Sequence, residues 1–222
     1  MRRYPERGRS DRTELYELLD AGLIGFLGTV TNGHPRVLPM VYGRIGDTLY
    51  IHGAVKNQAL VAVGEGAEVC VTVTNVYGLV LANSMFHHSL NFRSAMIYAT
   101  PRVVTEPDER LAGLRAAVNH LVPGRGDELP DPTPKQHAQT TVIAISLEEA
   151  SVKVRSGPPG GDPEDYETDI WGGVLPLVQT WNPVETDPRL RDGIDPPAHV
   201  LRLVGQPAYE RAQGRPDLSD PR

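Results

Sequence analysis

The dipeptide Asn32-Gly33 stands between two β-prone runs, and it restricts the chain more than any other feature. Both residue types tolerate positive φ, which a two-residue hairpin needs if its twist is to match that of its strands. Residues 23–31 and 34–45 are therefore predicted to pair antiparallel. Gly46-Asp47 closes a second tight turn, and a short strand over 48–53 follows. Three antiparallel strands joined by two such turns make a meander, a usual beginning of a β-barrel.

Ahead of the hairpin, Asp11-Arg12-Thr13-Glu14 reads as a capping box. Leu15, Leu18 and Leu19 then share one helical face, and Gly22 is the stop. Residues 1–9 are charged and predicted to fray. After the meander, 56–63 has a short helical pattern ended by Gly64-Glu65-Gly66. Residues 67–75 alternate, with Val69, Val71 and Val73 on one face and Cys70, Thr72 and Thr74 on the other. A polar stretch, 83–94, feeds an apolar strand predicted to run to about residue 105. A helix follows to about 121, with Leu111, Leu114, Val118 and Leu121 as its stripe. Residues 123–134 read as a loop, and 140–147 and 150–155 as the last two strands.

The chain changes character after residue 156, beyond which eleven of its twenty prolines lie. Residues 11–155 are predicted to form one barrel domain and 156–222 a Pro-rich arm without a core of its own. Trp171, Leu175, Leu177, Val178 and Trp181 need burial, so the arm is expected to lie over the barrel or a partner subunit. A weak helix is expected over 198–204, and disorder over the last dozen residues.

Composition removes whole classes of function. A net charge of -6 argues against nucleic-acid binding, and 6% aromatic content leaves little for base stacking. There is no run of about 18 apolar residues, as a membrane span would need. The N-terminus is basic but has no apolar h-region, so it does not read as a secretory signal. A lone cysteine, Cys70, makes no internal disulfide and reads as a structural thiol in a reducing cytoplasm.

Candidate chemistry gathers at strand ends. Arg36 follows the hairpin turn, Lys56 opens a helix, and Arg93 and Ser94 are predicted to open the strand after the polar stretch. Each cation alone reads as an ordinary surface charge. Together, at one barrel lip, they would offer an anion several charge-assisted bonds. His52 reads either as a ligand-facing donor or as a core histidine. His87 and His88 are adjacent, so on a strand they would point to opposite faces. No HExxH or CxxC pattern occurs, and no metal is expected. GxSxG, GxGxxG and GxxxxGK[ST] are also absent. Trp171 and Trp181 suit either packing under the arm or stacking on a planar cofactor.

The run FHHSLNFRSAMIYA, preceded by GFLGTVTNGHPRVLPMVYG and LYIHGAVKNQAL and followed by ASVKVRSGPPGGDPEDYETDIWGGVLPL, resembles the FMN-binding split-β-barrel proteins. These are the flavin-nucleotide-binding branch of the pyridoxamine 5′-phosphate oxidase-like group, related to nitroimidazole-resistance proteins. The resemblance implies a mainly β fold, a six-stranded antiparallel split β-barrel with flanking helices. It also implies a homodimer with two FMN sites at the interface. Carried over by position, Arg36, Val37 and Leu38 would line the flavin, and Ile51 and His52 would be the neighbouring strand end. Lys56 and Asn57 would hold the phosphate, and Arg93 with Ser94 would complete the phosphate and ring contacts. His52 or His87 would match a histidine that the nitroimidazole-resistance relatives place near the flavin.

Two departures count against vitamin B6 oxidation: Val55 precedes Lys56 where an arginine is expected, and the C-terminal end is Pro-rich. The implied function is a cytoplasmic FMN-dependent oxidoreductase acting on a small organic substrate. The alternatives are a flavin- or haem-binding carrier or sensor without turnover, and an F420-dependent reductase.

Overall fold

A computed structural model describes residues 8–9 and 12–208. The cap at Asp11, most of the fraying expected over 1–9 and the disorder expected over the last dozen residues fall outside the described residues. In chain order the elements are β1 (Gly8–Arg9), α1 (Arg12–Ala21), β2 (Gly25–Thr31), β3 (His34–Met40), β4 (Tyr42–Ile45) and β5 (Thr48–Ala54). Then come α2 (Gln58–Gly64), β6 (Val69–Leu81), β7 (Ser89–Ala99), β8 (Arg102–Val103) and α3 (Pro107–Leu121). The short helices α4 (Arg125–Glu128) and α5 (Pro134–Gln139) lead into β9 (Thr140–Ser146) and β10 (Glu149–Arg155). The arm carries β11 (Gly173–Pro176) and α6 (Ala198–Leu201).

The strands form two antiparallel sheets around one core, a split β-barrel. The larger runs β1-β10-β7-β6-β2-β3, with β11 added beside β6, and the smaller runs β4-β5-β9-β8. The predicted hairpin forms as expected, with Asn32 at φ 54° and Gly33 at φ 75°. The single strand expected over 34–45 does not: the chain leaves the larger sheet after Met40 and enters the smaller one at Tyr42. The expected three-strand meander is thereby divided between two sheets. Pro39, two residues before Val41, is a local sign of a break, but which sheet each half joins is decided by the core.

That core is built from Leu15, Leu18 and Leu19 of α1 against Leu27, Val71, Ile97, Ile51 and Ile143. Each such side chain, taken fully out of water, contributes on the order of 1.5–3 kcal/mol before cavity effects. Tyr42 is wholly buried and donates to the Leu19 carbonyl at 2.6 Å; burial pushes its phenol far above the ordinary range.

The helix α3 packs differently from the leucine stripe read in its sequence. Its buried positions are Gly113 and Ala117, whereas Leu121 is exposed. Two glycines permit this close seat. A Cβ on Gly43 would lie 2.3 Å from the Ala116 backbone, and one on Gly113 would lie 2.7 Å from the Tyr50 ring. Among the described residues nothing covers the strands on the far side of the larger sheet. Phe26, Val37, Met96 and Tyr98 are between 42% and 65% exposed there.

Candidate functional site

Cross-strand pairing settles where the predicted site residues point, because directly opposed residues share a face. Arg36, Leu38 and Met40 pair with Thr29, Leu27 and Gly25, so they line the core-side face of β3. Among the described residues the other edge of β3 pairs with no strand. At the Met40 end this face meets the start of α2. A Cβ on Gly53 would lie 3.6 Å from the Asn57 amide nitrogen and 3.8 Å from Met40 Cε. Asn57 caps α2, its side-chain oxygen accepting from the Ala59 amide at 3.0 Å, and Lys56 precedes it, exposed.

Arg36 differs from the clamped arginines in having no partner among the described residues. Arg44 is clamped by Asp20 at 2.5 Å, Arg115 by Asp131 at 2.7 Å, and Arg102 by Glu109. Among the described residues neither Arg36 nor Lys56 has a hydrogen bond or ion pair. Val37 faces the opposite way, 65% exposed, and pairs with Gly28. A cleft of about 330 Å³ between the hairpin end and α2 includes neither cation in its lining.

The structure does not bring Arg93 to this place. The strand β7 begins at Ser89, so Arg93 and Ser94 lie well inside it rather than opening it. Following the register from Arg36 through Thr29 and Val69 reaches Ala99. Arg93 lies six residues further along β7, roughly 20 Å at strand rise. The shared lip expected for Arg36, Lys56 and Arg93 therefore does not form within one protomer. Arg93 instead faces α1, where Glu17 approaches to 3.7 Å, and its side chain is only 18% exposed. Its Nε, and Nδ2 of the opposing Asn75, are buried without a hydrogen-bond partner. Ser94 points to the uncovered face, as its partner Lys153 does.

Ile51 and His52 also part company with the cations. Ile51 is 1% exposed in the main core and offers a ligand only its backbone. His52 pairs with Val142 and so sits on the α3 side of the smaller sheet. Its Nδ1 is buried without a partner, and burial lowers its pKa from the ordinary 6.5.

The loop between β6 and β7 holds the two adjacent histidines on a 3-10 turn, Met85–His87. His87 Nε2 lies 3.5 Å from Asp162 Oδ2 and 3.7 Å from Asp165 Oδ2, groups from the arm. The three ligand atoms lie within 4.8 Å of one another, an arrangement invisible in the sequence because the partners are about 75 residues apart. Asp165 is also engaged by Ser84 Oγ at 2.9 Å and by the Asp162 amide at 3.1 Å. His88 turns away from the aspartates, its Nδ1 at 2.9 Å from the Ser84 carbonyl oxygen.

The arm is fastened to this loop. Gly173 pairs with Leu81, and Asn83 donates to the Ile170 carbonyl. Its apolar residues are not buried by the chain itself: Trp171 is 67% exposed, Leu175 57%, Val178 50% and Leu177 44%, while Trp181 is half-buried. The expected burial therefore does not come from this barrel.

These two sheets, divided around one core and flanked by helices, define a split-β-barrel protein. The family described as pyridoxamine 5′-phosphate oxidase matches residues 11–154, and the chain belongs to it. Among solved structures the chain is similar to the FAD and heme binding protein from Mycobacterium smegmatis. That match has 33% identity and a TM-score of 0.86, covering 91% of this chain and 99% of the other. The flavocytochrome Anf3 from Azotobacter vinelandii matches at 33% identity and TM-score 0.86, covering 92% and 96%. A putative 5-nitroimidazole antibiotic resistance protein from Bacteroides thetaiotaomicron shares the fold, at 20% identity and TM-score 0.57, over 66% of this chain and 86% of its own. A search of curated proteins found no match. Among the described residues no helix is long and apolar enough to cross a membrane.

Proposed function

We propose that the chain binds a flavin nucleotide, with Arg36 and Lys56 on its phosphate, and acts as a homodimeric oxidoreductase on a small organic substrate. The observation that carries this reading is an arginine on the open edge strand and a lysine at the start of α2, neither of them paired among the described residues. FMN is the flavin implied by the resemblance, whereas two similar structures are named for FAD or as a flavocytochrome. Both nucleotides carry a phosphate on the ribityl chain, so the same two cations serve either. The fit is chemical: a planar guanidinium fork and a mobile ammonium suit a dianion that a carboxylate-paired arginine would serve less well.

The flavin, when bound, supplies the hydride or electron chemistry. The chain's own part is to bind and orient it, and to keep water from the ring with the apolar residues around β3. No side chain is assigned as a general acid or base. The bare face of the larger sheet supports the dimer. Phe26 and Met96 stand in one register row through Thr72, and a second copy would take them out of water. Arg93 and Ser94 would reach a flavin only across such an interface. A cytoplasmic location agrees with the single free thiol of Cys70.

A second cofactor is favoured by one specific observation. The two relatives named for haem or as a flavocytochrome extend over the arm, whereas the nitroimidazole-resistance relative covers only 66% of the chain. We therefore extend the proposal to a haem, held where the arm meets the loop between β6 and β7. The absorption spectrum of the purified protein, followed by titration with FMN, FAD and hemin, tests both halves. Flavin bands and a Soret band are expected. Protein that is colourless and takes up no flavin contradicts the central reading.

A further inference from the structure

We infer that the cavity between α4 and the arm is a binding site for a small organic cation with an apolar body, an aralkylamine being the simplest case. The inference stands apart from the flavin and haem readings, because no residue assigned to either lines this cavity.

The sequence leaves the space and the fold encloses it. Pro183, Pro188, Pro196 and Pro197 lack the amide hydrogen that regular structure needs, and between Pro176 and Ala198 no helix or strand forms. This irregular stretch is held beside α4 by His199, whose Nδ1 lies 3.3 Å from Glu128 Oε1 and whose side chain is 10% exposed. Residues of α4 and of the arm thereby line a cavity of about 530 Å³. Small-molecule sites usually have volumes of about 300–1,000 Å³.

The walls choose the body of the ligand. Val184, Leu190 and Ile194 line the cavity and are between 38% and 48% exposed. The hydrocarbon part of a ligand would take that surface out of water.

The charges choose the head group. Arg125 is the one cation of the lining among the described residues, and Glu128 answers it at 3.1 Å. Asp187 is answered in turn by Arg189 at 2.6 Å. Glu185 and Asp195 also line the cavity, and among the described residues neither has a hydrogen bond or ion pair. Two unanswered carboxylates beside apolar walls attract an ammonium and repel a carboxylate or a phosphate. Ion pairs at such partly exposed sites are weak, so the apolar body supplies affinity and the charge supplies selectivity.

The test is titration of the full-length protein with phenethylamine and with 3-phenylpropionate, which carry a phenyl group on similar chains and opposite charges. Binding is followed by saturation-transfer NMR. Phenethylamine should bind about tenfold or more tighter than 3-phenylpropionate, and high salt should shrink the preference. Glu185→Gln with Asp195→Asn should abolish the preference while both probes still bind weakly. Ile194→Trp fills the cavity from a half-exposed position and should lower phenethylamine affinity about tenfold or more. Circular dichroism and Tm check the folding of each variant. Equal binding of the two probes, no phenethylamine binding at millimolar concentration, or a preference that survives in the double variant overturns the inference. Unaltered binding in Ile194→Trp does the same. Flavin titration of the same samples is read separately, so failure here and failure of the flavin reading are told apart.

Discussion

Arg36 and Arg93 have the same side chain at opposite ends of one sheet, in opposite circumstances. Arg93 is largely covered, faces α1 and has Glu17 at 3.7 Å as a counter-charge. Arg36 stands on an open edge strand with no partner among the described residues. An arginine whose charge is already answered within the fold belongs to the architecture. One left unanswered on an apolar edge is free to answer a ligand.

The largest expected effect breaks the comparison at the Arg36 end. Replacing Arg36 and Lys56 together by alanine should weaken FMN binding about 100-fold or more, since each charge-assisted bond is worth about 1.5–3 kcal/mol. Riboflavin, without the phosphate, should change by less than about threefold on the same grounds, as read by quenching of flavin fluorescence. Next comes the uncovered face between the two arginines. Phe26→Asp with Met96→Asp places two charges where a second copy would sit, so light scattering should show the dimer shifting to monomer and losing bound flavin. A dimer that persists would place the interface elsewhere.

A smaller effect belongs to the Arg93 end. Glu17→Gln removes the counter-charge of a guanidinium that is mostly out of water, which should cost on the order of 1 kcal/mol and lower Tm by a few degrees. The ratio of FMN to riboflavin affinity should stay put. The smallest is a pH effect. Burial lowers the His52 pKa in the folded state, so the unfolded chain takes up the proton first as pH falls below 6.5. Stability from this group is fully present above that value and declines below it. Urea melts at pH 7.5 and 5.5 should show the decline, and His52→Phe should flatten it.

The hairpin at Asn32-Gly33, the first helix and the alternation of Val69, Val71 and Val73 were legible because a period of 2 or 3.6 shows in the residues themselves. The start of β7 was not. Asn91 and Arg93 look like loop residues, yet Asn91 is buried between Arg155 and the Gly157 carbonyl, and Arg93 has Glu17. Their neighbours come from distant parts of the chain, so composition reports polarity without showing that the fold buries it. The division of residues 34–45 between two sheets and the meeting of His87 with Asp162 were hidden for the same reason. The free cations Arg36 and Lys56 were legible as candidates. That no carboxylate among the described residues pairs with them is a property of the fold alone.

The most direct test is the ratio of FMN to riboflavin affinity, measured by isothermal titration for the wild type, Arg36→Ala and Arg93→Ala. The ratio should fall about tenfold or more in Arg36→Ala, with Lys56 still on the phosphate, and keep its wild-type value in Arg93→Ala. A ratio preserved in Arg36→Ala, or lost only in Arg93→Ala, would contradict the account.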